Sequence, residues 1–286
     1  MNKFFVKDCP NDQTIFQWIK SQTKIDEAYN DVRCSISTDD WVSIPHTLDI
    51  DQLITDTIDC LNENGFKGWQ TKKCDARAYG GLSIVYNPDL REDVDPNQST
   101  LGTKTNAPEE FYWSSTKNFS SIKHTYFDTY GFRKLSPAIE NSNLKSFVKS
   151  FRLSPTRGRI GVLDADYHDK VGEEFLWHKD EPVYENLRIN IPIVGDDSFY
   201  IQSEGKAAKT TPVGNIYTAD THIAHRVYAT GKKPVKRIHL VLGFSPWLDY
   251  MVEDDSYVVN EFFGKIHPVD LLFCNLSHPL IGSQID

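Results

Sequence analysis

Between Arg159 and Gly243 the chain is a succession of short alternating runs, and that stretch restricts the fold more than any other. Arg159–Leu163, Leu187–Ile193, Ser198–Ile201, Gly214–Thr218 and Arg237–Gly243 each mix β-branched and apolar residues with polar ones at strand spacing. Gly195-Asp196-Asp197 and Gly231-Lys232-Lys233-Pro234 separate them with residues suited to turns. Several short strands joined in this way predict a sandwich or jelly roll. The expected class is mainly β with flanking helices.

Chemistry-bearing residues recur inside that stretch. His178 and Asp180 lie two apart, His225 follows Asp180 by 45 residues, and Arg237 follows His225 by 12. On an extended strand or its end, positions i and i+2 face the same way, so His178 and Asp180 can reach one cation. A histidine from another strand completes a two-His-one-carboxylate face, which holds non-haem Fe(II) without saturating it. His222 competes with His225 for that third place. A catalytic zinc centre can use the same side chains but has no obvious need of Arg237. Serine hydrolysis is poorly supported, because there is no G-x-S-x-G elbow.

The order of these residues resembles that of the 2-oxoglutarate- and Fe(II)-dependent oxygenases, which fold as a double-stranded β-helix, a cupin-like jelly roll. Within them it looks most like the aspartyl/asparaginyl β-hydroxylase-like branch, which includes bacterial proline hydroxylases. The resemblance runs from Arg157 to Gly243. Its elements are a leading strand, His-x-Asp, Leu-Arg-x-x-x-Pro-Ile, Gly-x-x-Tyr, His-x-Val and Arg-x-His-Leu. It implies His178, Asp180 and His225 as iron ligands, His225 being preferred over His222 because Val227 stands two residues on. It implies Arg237 as the clamp on the distal carboxylate of 2-oxoglutarate, a task suited to a planar guanidinium. Arg188 is a second candidate for a co-substrate carboxylate. Relatives often carry Arg-x-His where this chain has Arg188-Ile189-Asn190, and Asn190 keeps a hydrogen-bond donor there. His239 and Tyr217 either line the co-substrate end or fill the core. Arg159 and Trp177 are the substrate-side candidates, against the plainer roles of exposed charge and packing.

The activity so implied is hydroxylation of an unactivated carbon in an amino acid, peptide or protein side chain, with release of succinate and CO2. Asp180 argues against halogenation, since its carboxylate takes the place a halide would need. The alternative from another class is a non-catalytic cupin-like module that binds or senses iron or 2-oxoglutarate.

The rest of the chain adds boundaries. The 286 residues fit one oxygenase domain: an N-terminal elaboration over 1–145, the jelly-roll core over 146–245 and a packing segment over 246–286. A helix near Ile15, Phe16, Trp18 and Ile19 is expected with Asn11 or Asp12 as its cap. A second, over 49–62, carries Ile54, Ile58 and Leu61 on one side, with Gly65 where it would stop. Gly80–Tyr86 reads as a strand and Leu144–Phe151 as a short helix. The Pro-, Asn- and Asp-rich 87–109 reads as a long loop, either a lid or a solvated excursion. The aromatic-rich 110–135 reads as core more readily than as a substrate cage. The tail packs outside the barrel or joins two copies as a homodimer. A formal charge of −9 disfavours nucleic acid. Five widely spaced cysteines without C-x-x-C, no secretory leader and no apolar membrane span point to reduced thiols in the cytoplasm.

Overall fold

The computed structural model describes residues 3–68, 79–89, 95–98, 128–164, 177–197, 199–229 and 236–274. Its largest element is a seven-stranded sheet, antiparallel throughout. At its centre β13 (Lys236–Phe244) runs between β7 (Pro155–Asp164) and β8 (Leu187–Val194). Beyond β8 lie β11 (Tyr217–Thr218) and the N-terminal β2 (Val42–Ser43); beyond β7 lie β4 (Tyr79–Ser83) and β3 (Lys67–Gly68). Strand β8 is buried along most of its length, the mark of a strand covered on both faces. Pro192 sits in its middle without an N–H to give. The register of β13 against β8 shifts between Ile238 and His239, opposite Pro192, where such a residue is tolerated.

A second, smaller sheet has the order β10 (Lys209–Thr210), β9 (Phe199–Ser203), β12 (His225–Ala229). His178 extends it by bridging to His225 on the far side of β12. From β7 onward the chain therefore alternates between sheets, through His178 to β8, through β9 and β10 to β11, and through β12 to β13. The sheets meet where Ile201 of β9 packs with Tyr217 of β11, Ala219 and Trp41, with Val227 of β12 against them. Trp41 comes from the segment entering β2, so an N-terminal side chain closes this junction.

The flanks follow from local rules. Helix α1 (Ile15–Gln22) buries Ile15, Phe16 and Ile19, as its pattern predicts. Its cap is Thr14, not Asn11 or Asp12: Thr14 Oγ1 accepts from Gln17 N at 3.1 Å, and the Gln17 side chain accepts from Thr14 N at 3.3 Å. That reciprocal pair satisfies two orphan donors, which neither earlier residue would. A further helix, α2 (Ile25–Asp31), follows. Helix α3 (Ile50–Asn64) is capped by Asp49 and stops at Gly65, whose φ of 67° favours glycine. Its buried side chains are Leu53, Thr57, Cys60 and Leu61, while Ile54 and Ile58 pack at the core's margin. The strand expected over 80–86 is split into β4 and β5 (Val85–Tyr86), the latter pairing with β6 (Lys134–Leu135). The short helices α4 (Pro137–Glu140) and α5 (Leu144–Val148) lead into β7.

The C-terminal segment is tied to the other end of the chain. Strand β15 (Ser256–Val259) pairs with β1 (Lys3–Phe5) on one side and β14 (Leu248–Met251) on the other. Trp247 and Leu248 are fully buried in the main core. Of the aromatic group expected in the core, Tyr130 and Phe132 are fully buried. Phe111, Tyr112, Trp113, Tyr126 and Phe127, most of the 87–109 loop and the turn at 231–234 lie outside the described residues. Cys9, Cys34 and Cys60 are free thiols. Among the described residues no helix is long and apolar enough to cross a membrane.

Candidate metal centre

His178 and His225 exchange both backbone hydrogen bonds, His178 N to His225 O at 3.0 Å and His225 N to His178 O at 2.9 Å. Residues paired in this way stand directly opposite across antiparallel strands, so their side chains leave on the same face. The two rings lie 4.4 Å apart between centroids. The backbone N–H of Asp180 donates to Thr221 O at 2.8 Å, which brings its carboxylate back over the pair. Asp180 Oδ2 is 3.5 Å from His225 Nε2 and 3.9 Å from His178 Nε2. One donor atom from each of the three falls within 4.8 Å of the other two. Ligands about 2.1 Å from one ion stand roughly 3 Å apart when adjacent, so a small contraction closes this set on a cation.

His225 Nδ1 lies 3.0 Å from Ile223 O, and since a carbonyl only accepts, Nδ1 donates to it, which leaves Nε2 as the ring nitrogen that faces Asp180. Burial alone would raise the carboxyl of Asp180. The Arg188 guanidinium, with both imidazoles adding to it, overrides burial and holds the group well below the usual carboxylate range. An ionised oxygen and two nitrogen lone pairs form a hard and borderline donor set suited to a divalent first-row ion. His225 is buried and the His178 side chain is about half exposed, so the cluster opens toward solvent on the His178 side.

A line of contacts leads from the cluster to buried polar residues of β13. The Trp41 ring meets His225 edge-on at 5.8 Å between centroids. Trp41 packs with Tyr217, and Tyr217 feels the positive charge of Arg237, which partly offsets the rise that burial gives its hydroxyl. Arg237 and His239, two apart on β13, are both buried, and Arg237 Nη2 donates to His239 Nδ1 at 2.5 Å. That bond fixes the proton of His239 on Nε2, a buried atom with no hydrogen-bond partner among the described residues. Burial first, and the neighbouring guanidinium second, keep this ring neutral by pushing its pKa well down. The Nε1 of Trp41 is another buried nitrogen without a hydrogen-bond partner among the described residues.

Neither a protein-family model nor a curated protein matches the chain. Among solved structures it is similar to the non-heme alpha-ketoglutarate-dependent carbocyclase SnoK from nogalamycin biosynthesis. The two are 10% identical, and the match covers 86% of this chain and 88% of that one with a TM-score of 0.35. Likeness at that level carries no weight, and the site stands on its own geometry.

The remaining sequence-derived residues fall in different places. Arg188, read as a second anion clamp, is held by the protein's own acids: it pairs with Asp180 and with Glu181. His222 sits with its ring 3.5 Å from the backbone oxygen of Asp180 and is exposed, outside the three-residue cluster. Asn190 is half-buried on β8, between Tyr217 and Val241. Arg159 is half-buried on β7. Trp177 stacks on Arg226, 4.7 Å from its ring centre; Arg226 adjoins His225 along β12, so this contact lies on the face opposite the ligands. Arg157, which stands near Arg159 in the stretch, pairs with Glu181 at 2.6 Å. Two residues were missed. Glu181 follows Asp180 directly, and its acidity was a visible signal. Trp41 gave none, because a two-residue edge strand has no periodicity to read.

Proposed function

We propose that this chain is an Fe(II)- and 2-oxoglutarate-dependent oxygenase on a double-stranded β-helix, hydroxylating an unactivated carbon of an amino acid, peptide or protein side chain. The observation that carries the reading is the convergence of His178, Asp180 and His225 on one point. The strand order supports the fold assignment, since a chain that alternates between two facing antiparallel sheets is what a double-stranded β-helix requires. In this reading the metal, with its co-substrate, supplies the oxidation of a C–H bond by dioxygen, while 2-oxoglutarate is decarboxylated to succinate.

The chain's own part is positioning. His178, Asp180 and His225 hold the ion and leave positions open for other ligands. Arg237 offers two parallel N–H groups to a carboxylate at the inner end, and the Nε2–H of neutral His239 is a further donor already desolvated for that contact. Trp41 and Tyr217 wall the space between the imidazole of His225 and the guanidinium and keep water from it. Substrate enters from the side where His178 is exposed. The test is succinate formation from 2-oxoglutarate across a panel of amino acids and peptides. The reading expects turnover that needs both Fe(II) and one member of the panel. Iron binding without any substrate-dependent succinate favours a binding or sensing module instead.

A further inference from the structure

Asp180 is the terminus of a line of alternating charges. Arg157 pairs with Glu181 at 2.6 Å, Glu181 with Arg188, and Arg188 with Asp180. The Arg157 and Arg188 side chains are 10% and 7% exposed, so these contacts are made largely out of water. Neighbours complete the line. The Asn186 amide, turned with its oxygen to the guanidinium, accepts from Arg188 Nε at 3.0 Å and Nη2 at 3.2 Å, and it donates to Thr156 Oγ1 at 2.9 Å. Thr218 Oγ1 donates to the Arg188 carbonyl at 2.8 Å, and Thr221 Oγ1 to the Glu181 carbonyl at 3.2 Å.

The contact on Asp180 is specific in its atom. Arg188 Nη1 donates to Oδ2, the same oxygen that faces both imidazoles. An ionised carboxylate has about four lone-pair sites, so Oδ2 can accept from Arg188 and still give a pair to a cation. A guanidinium that close to a dication would by itself repel it. Glu181 balances that charge, and Arg157 balances Glu181. Removing one member leaves an uncompensated buried charge next to the site, the costly situation for a buried ion pair.

We propose that Arg188, held by Glu181 and Arg157, is a positioning residue that fixes Asp180 with a single oxygen toward the metal and so sets metal affinity, rather than an anchor for a co-substrate carboxylate. This rests on the metal-site reading above and assigns Arg188 a part the metal-ligand set does not include.

Calorimetric titration of the full chain with Mn(II) and the visible absorption of bound Co(II) test it. Arg188→Met should lower Mn(II) affinity roughly 10- to 100-fold, the range for outer partners of metal ligands. It should also change the Co(II) spectrum, because a released carboxylate can turn and offer both oxygens. Arg188→Lys keeps the charge without the fork and should recover part of the loss. Glu181→Gln leaves Arg188 in place and should weaken binding less than Arg188→Met does, which keeps the test open if that variant fails to fold. The control is Arg133→Met. Arg133 is also buried and paired with two acids, Asp89 and Asp255, but touches none of the three ligands, so its loss should lower the melting temperature and leave Mn(II) affinity unchanged. Wild-type affinity and an unaltered Co(II) spectrum in folded Arg188 and Glu181 variants would overturn the inference alone, as would an equal loss in Arg133→Met. A wild-type chain that takes up no Mn(II) would sink the metal site and this inference together.

Discussion

At the scale of single residues, the ligand set follows from two local facts. His178 and Asp180 are two apart, and His178 and His225 are hydrogen-bonded partners across a sheet. The first was legible in the sequence, and the choice of His225 over His222 rested on Val227. The pairing itself was not legible, because the 46 intervening residues carry no register. In the proposed reading, Arg237 is the residue whose loss would separate co-substrate binding from metal binding. Arg237→Ala should leave metal affinity intact and raise the 2-oxoglutarate concentration needed for half-maximal succinate formation. A charge-assisted hydrogen bond contributes about 1.5–3 kcal/mol, so the rise should be roughly 10- to 150-fold. Arg237→Lys should recover only part of it, since an ammonium cannot form the paired contact. An unchanged requirement in Arg237→Ala would remove Arg237 from the pocket. Arg188 shows the limit of the sequence at this scale: it looked like an anion clamp, and only the fold shows Asp180 and Glu181 already against it.

At the scale of elements, β4, β5, β7, β8, β9, β11 and β13 were visible because alternation and turn residues mark them, whereas the other eight described strands were not. Strand β12 and the single bridging residue His178 were not recognised as paired, since strand neighbours that are distant in sequence are chosen by the whole sheet. Strand β13 matters most: it separates β7 from β8, carries Arg237 and His239, and ends near the charge line at Gly243. A Cβ built on Gly243 would come within 2.4 Å of the Asn186 side-chain amide and 2.8 Å of the Arg157 carbonyl. Backbone cannot yield as a side chain can, so Gly243→Ala should cost about 1–3 kcal/mol of stability. Because Asn186 and Arg157 both belong to the line ending at Asp180, the same variant should weaken Mn(II) binding. Denaturant unfolding and the metal titration, run together, check both. Unchanged stability would mean that the strand end relaxes freely.

At the scale of the whole molecule, the N-terminal part is not a separate appendage. Its first strand pairs with β15, β2 extends the main sheet, and Trp41 reaches the wall beside His225. Where it meets the core it buries acids: Asp128 is fully buried and pushed up to about 7, and Glu185 is raised to about 8 by burial and by the nearby Glu181 and Asp128. Both hold a proton more tightly folded than unfolded, where their ordinary values are 3.8 and 4.5. Their stabilising contribution is therefore full below about pH 4 and is lost as pH rises through about 7 to 8. The free energy of unfolding should fall between pH 5.5 and 8.5 by on the order of a few kcal/mol, and Glu185→Gln should flatten that slope. A variant as steep as the wild type would place the titrating groups elsewhere.

The expectations about the site depend on a cation held jointly by His178, Asp180 and His225. The direct measurement is anaerobic Fe(II) titration of the purified chain by calorimetry, alongside His225→Ala with its fold checked by circular dichroism. The account predicts one Fe(II) per chain, and a loss in the folded variant greater than the roughly 10- to 100-fold of an outer partner. Stoichiometric binding that survives in His225→Ala, or no binding in the wild type, would contradict it.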